Sequence, residues 1–437
     1  MDEPRNIVIV GGGFAGTTLA RTLETRLPAG WRVTLVSEES YTTFNPMLPE
    51  VVSAAVFPEH VVAPVRQMLR HSRFVMGRVT DVDLEHRRLL ATTLAGVQKI
   101  AYDHLVLAFG TRANTALVPG MAEHALPLKL VGDALHIRNR VLQRVARIEL
   151  EDDPVQRRRL GHFVVIGGGF SGVEVAGGLA DFLQSARRYY PRVQPQELKV
   201  TLLQDIERLL PELPASLGEA ARRSLAQRGV EVRLMARAAA VDADGVDLAG
   251  GMRVDSATVV CTIGTRANPL ADRLALDKQR GRIETLADLS VAGADDVWAI
   301  GDCALVHNGD ALAPPTAQFA VAQARALAGN VLARIAGRPT RAFAHRSRGM
   351  MATTGHLKGV AQVFGLRLAG LPAWLLWRAY YLLLMPTLGR KVRIWLEWTW
   401  SMFFAADITH LRFTRTDAID APDTGLRETQ PQSRPAR

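Results

Sequence analysis

Cysteine is nearly missing from this chain. Its 437 residues contain only Cys261 and Cys303. They form no Cys-x-x-Cys pair and no disulfide framework, so a disulfide-stapled fold is excluded and a reducing compartment is expected. Long apolar runs are also missing. Leu371 to Met385 is nearly apolar but carries Arg378 in its middle, and a spanning helix needs about 20 apolar residues. The start, Met1-Asp2-Glu3-Pro4-Arg5, has no charged-then-apolar leader, and we expect a chain that is not exported. No helix-turn-helix, zinc or RNA-recognition pattern occurs. The formal charge of +10 therefore points to an anionic membrane surface rather than to nucleic acid. An arginine-rich solvated surface is the plainer alternative. No metal site is expected.

What is present is a doubled motif. Ile7-Val8-Ile9-Val10 runs into Gly11-Gly12-Gly13-Phe14-Ala15-Gly16, then into small and apolar residues that suit a helix. Gly11 permits the tight turn, Gly13 lets a pyrophosphate approach the backbone, and Gly16 lets the helix pack on the strand. The helix N-terminus then offers free N–H groups to phosphate. Phe163-Val164-Val165-Ile166-Gly167-Gly168-Gly169-Phe170-Ser171-Gly172-Val173-Glu174 repeats the pattern. Two such turns, each between a strand and a helix, predict two dinucleotide-binding units.

Each unit has further matching parts. Trp31 to Val36 reads as a second strand, and Glu38 beyond it has the spacing of a ribose-binding carboxylate. Leu198 to Leu203 is the corresponding strand of the second unit and ends in Gln204-Asp205. Leu105 to Thr111 and Val259 to Thr265 are buried strands ending in Gly110 and Gly264. A glycine there lets the backbone pass close to a bound ring system. Asp296 to Ala304 is another strand, ending in Gly301-Asp302. A long helix follows to about Ile335.

Five of the seven tryptophans, Trp374, Trp377, Trp395, Trp398 and Trp400, crowd the C-terminal region. Arg390, Arg393, Glu397 and Ser401 recur at helical spacing, and Val392, Trp395, Leu396, Met402 and Phe403 fall on the remaining face. The pattern predicts an interfacial amphipathic helix with an aromatic girdle. A dimerisation surface or a core helix is the alternative.

Together, the glycine turns, the Leu107–Thr111 and Cys261–Thr265 segments and Ile300-Gly301-Asp302 resemble the two-dinucleotide-binding-domain flavoproteins. The chain is identified, on these motifs and on Ala317-Gln318-Phe319-Ala320-Val321-Ala322-Gln323, as resembling the type II NADH dehydrogenases. These are single-chain, non-proton-pumping NADH:quinone oxidoreductases of respiratory chains. The resemblance implies an α/β fold of two Rossmann-like domains, for FAD and NAD, with a C-terminal amphipathic helical membrane-anchoring region. We expect residues 1–150 and 286–340 to form the FAD domain and 155–285 the NAD(P)H domain. Residues 341–413 would be the membrane-associated region and 414–437 a disordered tail.

By resemblance, Gly11, Gly13, Gly16 and Glu38 hold the ADP half of FAD, with Val79 among the cofactor contacts. Gly110 and Thr111 lie near the flavin and Asp302 meets its ribityl chain. Gly167, Gly169, Gly172, Gln204 and Gly264 serve NAD(P)H. Ala317, Gln318 and Gln323 belong to the quinone motif. Glu174, Gln318 and Gln323 are the candidate catalytic residues. Glu174 has two readings: a group that orients nicotinamide or relays a quinone proton, or a first-turn glutamate favoured by the helix dipole. The sequence departs from the pattern where Ser37 precedes Glu38, where Ala322 replaces a glutamine, and where Gln204 stands in place of a glutamate.

The expected function is FAD-dependent NADH:quinone oxidoreduction, with hydride passing from NAD(P)H to flavin and then electrons to a membrane quinone. Sulfide:quinone oxidoreductases and disulfide reductases need paired cysteines that are not evident here. A flavin-binding redox sensor with little turnover is the other class considered. We expect attachment from one side through residues 366–411, on the cytoplasmic side of the inner membrane, and possible homodimerisation.

Overall fold

The computed structural model describes residues 4–411; the tail expected over 414–437 lies outside the described residues. Two sheets carry the glycine turns. The first has seven strands in the order Val297–Ala299, His104–Leu107, Arg5–Val10, Trp31–Ser37, Arg73–Asp83, Arg88–Thr93 and Gly96–Ala101. Its first five strands run parallel, and the last two fold back antiparallel. The central strand Arg5–Val10 is buried along Asn6 to Val10. A near-continuous apolar run is what a strand covered on both faces requires. Helices Phe14–Glu24 and Ala317–Ile335 pack against each other over this sheet.

The second sheet runs Ala125–Pro127, Thr258–Cys261, His162–Ile166, Lys199–Leu203 and Val230–Arg233, all parallel. Helix Phe170–Arg187 covers it. The chain enters this unit earlier than the expected border at 150. Strand Ala125–Pro127 already pairs with Thr258–Cys261. Helix Val131–Leu150 buries Ala134, Ile137, Val141, Val145 and Ile148 in the second core. That spacing is an apolar stripe on a 3.6-residue period, and Arg138 and Arg144 are buried beside it.

The C-terminal region corrects the expectation of a purely helical anchor. It begins with an antiparallel sheet of Gly349–Thr353, Gly359–Val363 and Leu366–Gly370. Helices Leu371–Leu384 and Leu388–Phe403 follow. Both helices are rooted in the second core through Trp377, Met385, Ile394 and Trp398. Beyond them the chain turns back. Arg138 Nη2 donates to the carbonyls of Asp407 and Thr409, and Asn139 Nδ2 to that of Leu411. This region is part of the body, not an appendage on it. Among the described residues, no helix is long and apolar enough to cross a membrane.

Candidate functional site

The first glycine turn is built as its sequence requires. Gly11 has φ +115°, and a Cβ there would strike the backbone carbonyl of Ala108. A Cβ on Gly16 would land on the carbonyl oxygen of Gly11. Gly13 is the opposite case: a Cβ there would meet nothing within 4 Å. Gly13 is also the N-cap of Phe14–Glu24, and no side chain caps that helix. Its first N–H groups are left for a ligand, and the dipole favours an anion.

Glu38 follows strand Trp31–Ser37, and its carboxylate accepts from Arg112 Nη2 at 2.6 Å and Arg78 Nη2 at 3.3 Å. At the far side of the turn, Gly301 lies against Ala15 of the first glycine helix. Its N–H donates to Gln323 Oε1 at 2.7 Å. Arg282 Nε donates to the Asp302 carbonyl at 3.1 Å. Lys129 Nζ reaches Thr111 Oγ1 at 3.4 Å and Asp302 Oδ2 at 3.8 Å. Glu38, Thr111 and Asp302 are thus held around one turn, by Arg112, Lys129 and Arg282. Val79 is buried in the first core beside a bulge in its strand.

The second turn repeats the geometry. Gly167 has φ +111°, a Cβ on Gly172 would land on the Gly167 carbonyl oxygen, and a Cβ on Gly169 would meet nothing within 4 Å. Helix Phe170–Arg187 likewise has no side-chain cap. Backbone register then pairs the two units residue by residue. Gly11 N–H donates to the Val36 carbonyl, and Gly167 N–H to that of Leu203. Ser37 therefore corresponds to Gln204, and Glu38 to Asp205. The side chains agree: a Cβ on Gly12 would press on Ser37, and one on Gly168 on Gln204. Gln204 is buried and its Oε1 accepts from Gly168 N–H at 2.8 Å. It braces the glycine turn. Asp205 is the exposed acid at the position that Glu38 holds in the first unit.

The two units touch just beyond strands His104–Leu107 and Thr258–Cys261. Thr111–Ala113 pairs antiparallel with Thr265–Ala267, directly after Gly110 and Gly264. Gly264 has φ +70°, and a side chain there would collide with Leu117.

Glu174 is the fifth residue of its helix, not a first-turn residue, and the helix-dipole reading loses its basis. Its side chain turns inward, 7% exposed. Glu174 Oε1 accepts from Thr353 N–H at 3.1 Å and from Trp377 Nε1 at 3.0 Å. Burial pushes its pKa up to about 8, with the charge of Glu50 adding to the rise and the two hydrogen bonds opposing it. Glu50, on helix Leu48–Val52, keeps part of its surface exposed, but its carboxyl end is enclosed. Its Oε2 accepts from Trp398 Nε1 at 3.1 Å. Burial raises the Glu50 pKa too, against Arg378 and the Trp398 hydrogen bond. One carboxylate thus hangs from each C-terminal helix.

The expected quinone motif divides on inspection. Thr316 Oγ1 caps Ala317–Ile335 by accepting from Phe319 N–H. Ala317 and Gln318 sit half-buried in its first turn, with Gln318 Oε1 accepting from Ser347 Oγ at 3.1 Å. Gln323 is turned inward onto Gly301, where it holds the Gly301-Asp302 turn. Sequence reasoning missed Glu50, Lys129 and Arg112. Glu50 follows Pro49 in a loop-like stretch, and only the distant Trp398 marks it.

Comparison with known proteins accords with this geometry. Residues 5–324 match the pyridine nucleotide-disulphide oxidoreductase family. The chain is 30% identical over 410 residues to the type II NADH:quinone oxidoreductase Ndh of Mycobacterium tuberculosis, covering 90% of this chain and 87% of that one. The chain belongs to the type II NADH:quinone oxidoreductases. A probable mitochondrial NADH-ubiquinone oxidoreductase of Schizosaccharomyces pombe is 28% identical, over 93% of this chain and 84% of its own. The fold matches NDH2 from Plasmodium falciparum, solved in complex with NADH, with a TM-score of 0.86 at 18% identity, covering 93% of this chain and 99% of that one. The type II oxidoreductase fold therefore includes the C-terminal sheet and helices as well as the two glycine-turn units.

Proposed function

We propose that this chain is an FAD-dependent NADH:quinone oxidoreductase that works at a membrane surface. Family membership supports the reaction. The observation that carries the assignment to these residues is the position of Glu174. It lies on the helix that opens at the second glycine turn, and it is hydrogen-bonded to a tryptophan of the C-terminal helix pair. The nucleotide side and the lipid side of the molecule meet at this group.

The first turn fits FAD. Gly13 leaves open space before uncapped N–H groups, Glu38 is a ribose acid held by Arg112, and Asp302 with Lys129 and Thr111 is placed for the ribityl and ring end. Bound there, FAD supplies the two-electron chemistry. The second turn fits NADH, with Asp205 available to the ribose hydroxyls and opposed to a 2′-phosphate. Buried Glu174 retains a proton at neutral pH and can give it to a quinone oxygen, then regain one from water. The overall change balances as NADH + H⁺ + quinone to NAD⁺ + quinol.

Membrane attachment follows from helices whose exposed faces are apolar. Leu388, Val392, Trp395, Leu396, Trp400 and Phe403 are exposed on Leu388–Phe403, while the polar Glu397 faces inward onto His60 Nδ1 at 2.8 Å and Phe57 N–H at 3.2 Å. A helix rooted in the core by Ile394 and Trp398 that still exposes an apolar face suits insertion into the interfacial layer, and Lys391 and Arg393 at its start suit anionic head groups. We place this face on the cytoplasmic side of the inner membrane. The cysteine-dependent alternatives find no support, since Cys261 and Cys303 are buried free thiols at the ends of different units.

The test is flotation with vesicles of phosphatidylethanolamine and phosphatidylglycerol. Wild type should float, and only part should be released by high salt, because the tryptophan face is insensitive to screening. Trp395→Ser with Phe403→Ser should remain in solution. Flotation of this variant equal to wild type would remove the membrane face from the account.

A further inference from the structure

Glu50 has no role in the reading above, and its surroundings suggest one. Two carboxyl groups from separate helices approach the same aromatic cluster. Trp377 Nε1 donates to Glu174 and Trp398 Nε1 to Glu50, with the two indole rings 6.0 Å apart. The cation stacked on this cluster's rings is Arg378, and it is not evenly shared. Its guanidinium lies 3.8 Å over the Trp374 ring and 4.7 Å over the Trp398 ring, and Nη1 reaches the Trp398 carbonyl at 3.5 Å. It therefore stands on the Glu50 side. Glu174 has only neutral donors.

We propose that Glu50 is a positioning residue for the quinone-side proton: as the ionised member of the pair, it keeps the proton on Glu174. This rests on the reading of Glu174 as a proton donor. Two like charges in one enclosed site cannot both ionise readily, and a cation beside one of them decides which does so first. The remaining charged and titratable neighbours are consistent with this. Tyr381 packs on Trp377, with a ring separation of 4.8 Å. Burial and the charge of Glu174 hold its phenol above its usual range, so it stays neutral. Burial raises Tyr380 as well, against the charge of Arg348. His356 packs on Trp374 at 5.7 Å, and burial, with the charge of Arg378 adding, lowers its pKa. His60 and Glu397 pair with each other on the outer side. Arg378 is pulled down by burial to about 10 and remains charged at neutral pH. When Glu174 gives its proton to the quinone oxygen, the pair briefly carries two negative charges, and repulsion favours prompt reprotonation from water. Macroscopically the pair titrates as a unit.

The experiment compares full-length, FAD-loaded wild type, Glu50→Gln, Glu50→Asp and Glu174→Gln. Glutamine keeps an acceptor for Trp398 Nε1 while removing the charge. The readout is the infrared carbonyl band of protonated carboxyl groups across pH, with Glu174→Gln identifying the Glu174 component. In Glu50→Gln the Glu174 midpoint should fall by on the order of one pH unit, a tenfold change in its proton affinity. Glu50→Asp should restore most of it. An unchanged midpoint in Glu50→Gln, at wild-type flavin content, would overturn the proposal. The pH profile of quinone reduction is then read separately. If the infrared midpoint moves and the profile does not follow, the coupling of Glu50 to Glu174 stands and Glu174 as proton donor fails.

Discussion

Replacing Glu174 by glutamine should change how the stability of the fold depends on pH. The carboxyl group is buried, its pKa is raised from 4.5 to about 8, and its hydrogen bonds come from neutral donors. In the unfolded chain it ionises near 4.5; in the folded chain it holds its proton to about 8. The unfolded state therefore binds fewer protons between these values, and stability falls as pH rises through that window. The contribution is complete below pH 4.5, declines through neutrality and levels off above about 8. Spread over the whole window, the loss is roughly 5 kcal/mol at most. Glutamine cannot ionise, so the variant lacks this slope. Urea unfolding followed by tryptophan fluorescence at pH 5, 7 and 9 provides the comparison. The wild-type midpoint should drop relative to that of Glu174→Gln as pH rises, with the largest separation at pH 9. Parallel midpoints across the three values would refute the argument that Glu174 is protonated in the fold.

Three further outcomes are expected. Gly16→Val should abolish FAD retention, because the added side chain would strike the Gly11 carbonyl that closes the turn; absorbance of purified protein reports it, and a yellow variant would contradict it. Asp205→Ala should raise NADPH use relative to NADH more than Gln204→Ala does, since the register sets Asp205 and not Gln204 at the ribose position; steady-state kcat/KM for both nucleotides measures this, and the reverse order would overturn the register argument. Trp377→Ala should destabilise the fold by about 3–5 kcal/mol, because a fully buried ring and a donor to Glu174 are both lost; a change under 1 kcal/mol in denaturant unfolding would show that the C-terminal helices are not part of the core.

The two glycine turns were legible because the information is local. A β-branched run, three spaced glycines and a helix-forming segment specify a strand, turn and uncapped helix start with little help from the rest of the chain. Chain order within each unit was legible for the same reason. Residues whose roles depend on distant partners were not. Glu50 is defined by Trp398 and Arg378, which lie in the C-terminal helices. Gln204 occupies the position expected from spacing, yet its side chain turns back to Gly168, and the following residue takes the outward position. Helix Val131–Leu150 has enough charge to suggest a solvated connector, but its apolar stripe is continuous and buried. The short strands Gly349–Thr353, Gly359–Val363 and Leu366–Gly370 lacked clear alternation, and they form because they pack under the first C-terminal helix. Trp377 and Trp398 fall in the same tryptophan-rich stretch as the exposed face, yet they point into the second core. Only the exposed tryptophans and leucines remain for that face.

The central claim is that one chain passes two electrons from NADH to a quinone through a cofactor held at the first glycine turn. Anaerobic mixing of the FAD-loaded protein with one equivalent of NADH tests it directly. The flavin absorbance should bleach, and one equivalent of a soluble quinone should restore it, with one quinol formed per NADH consumed. Bleaching without recovery on adding quinone, or no bleaching by NADH at all, would contradict the account.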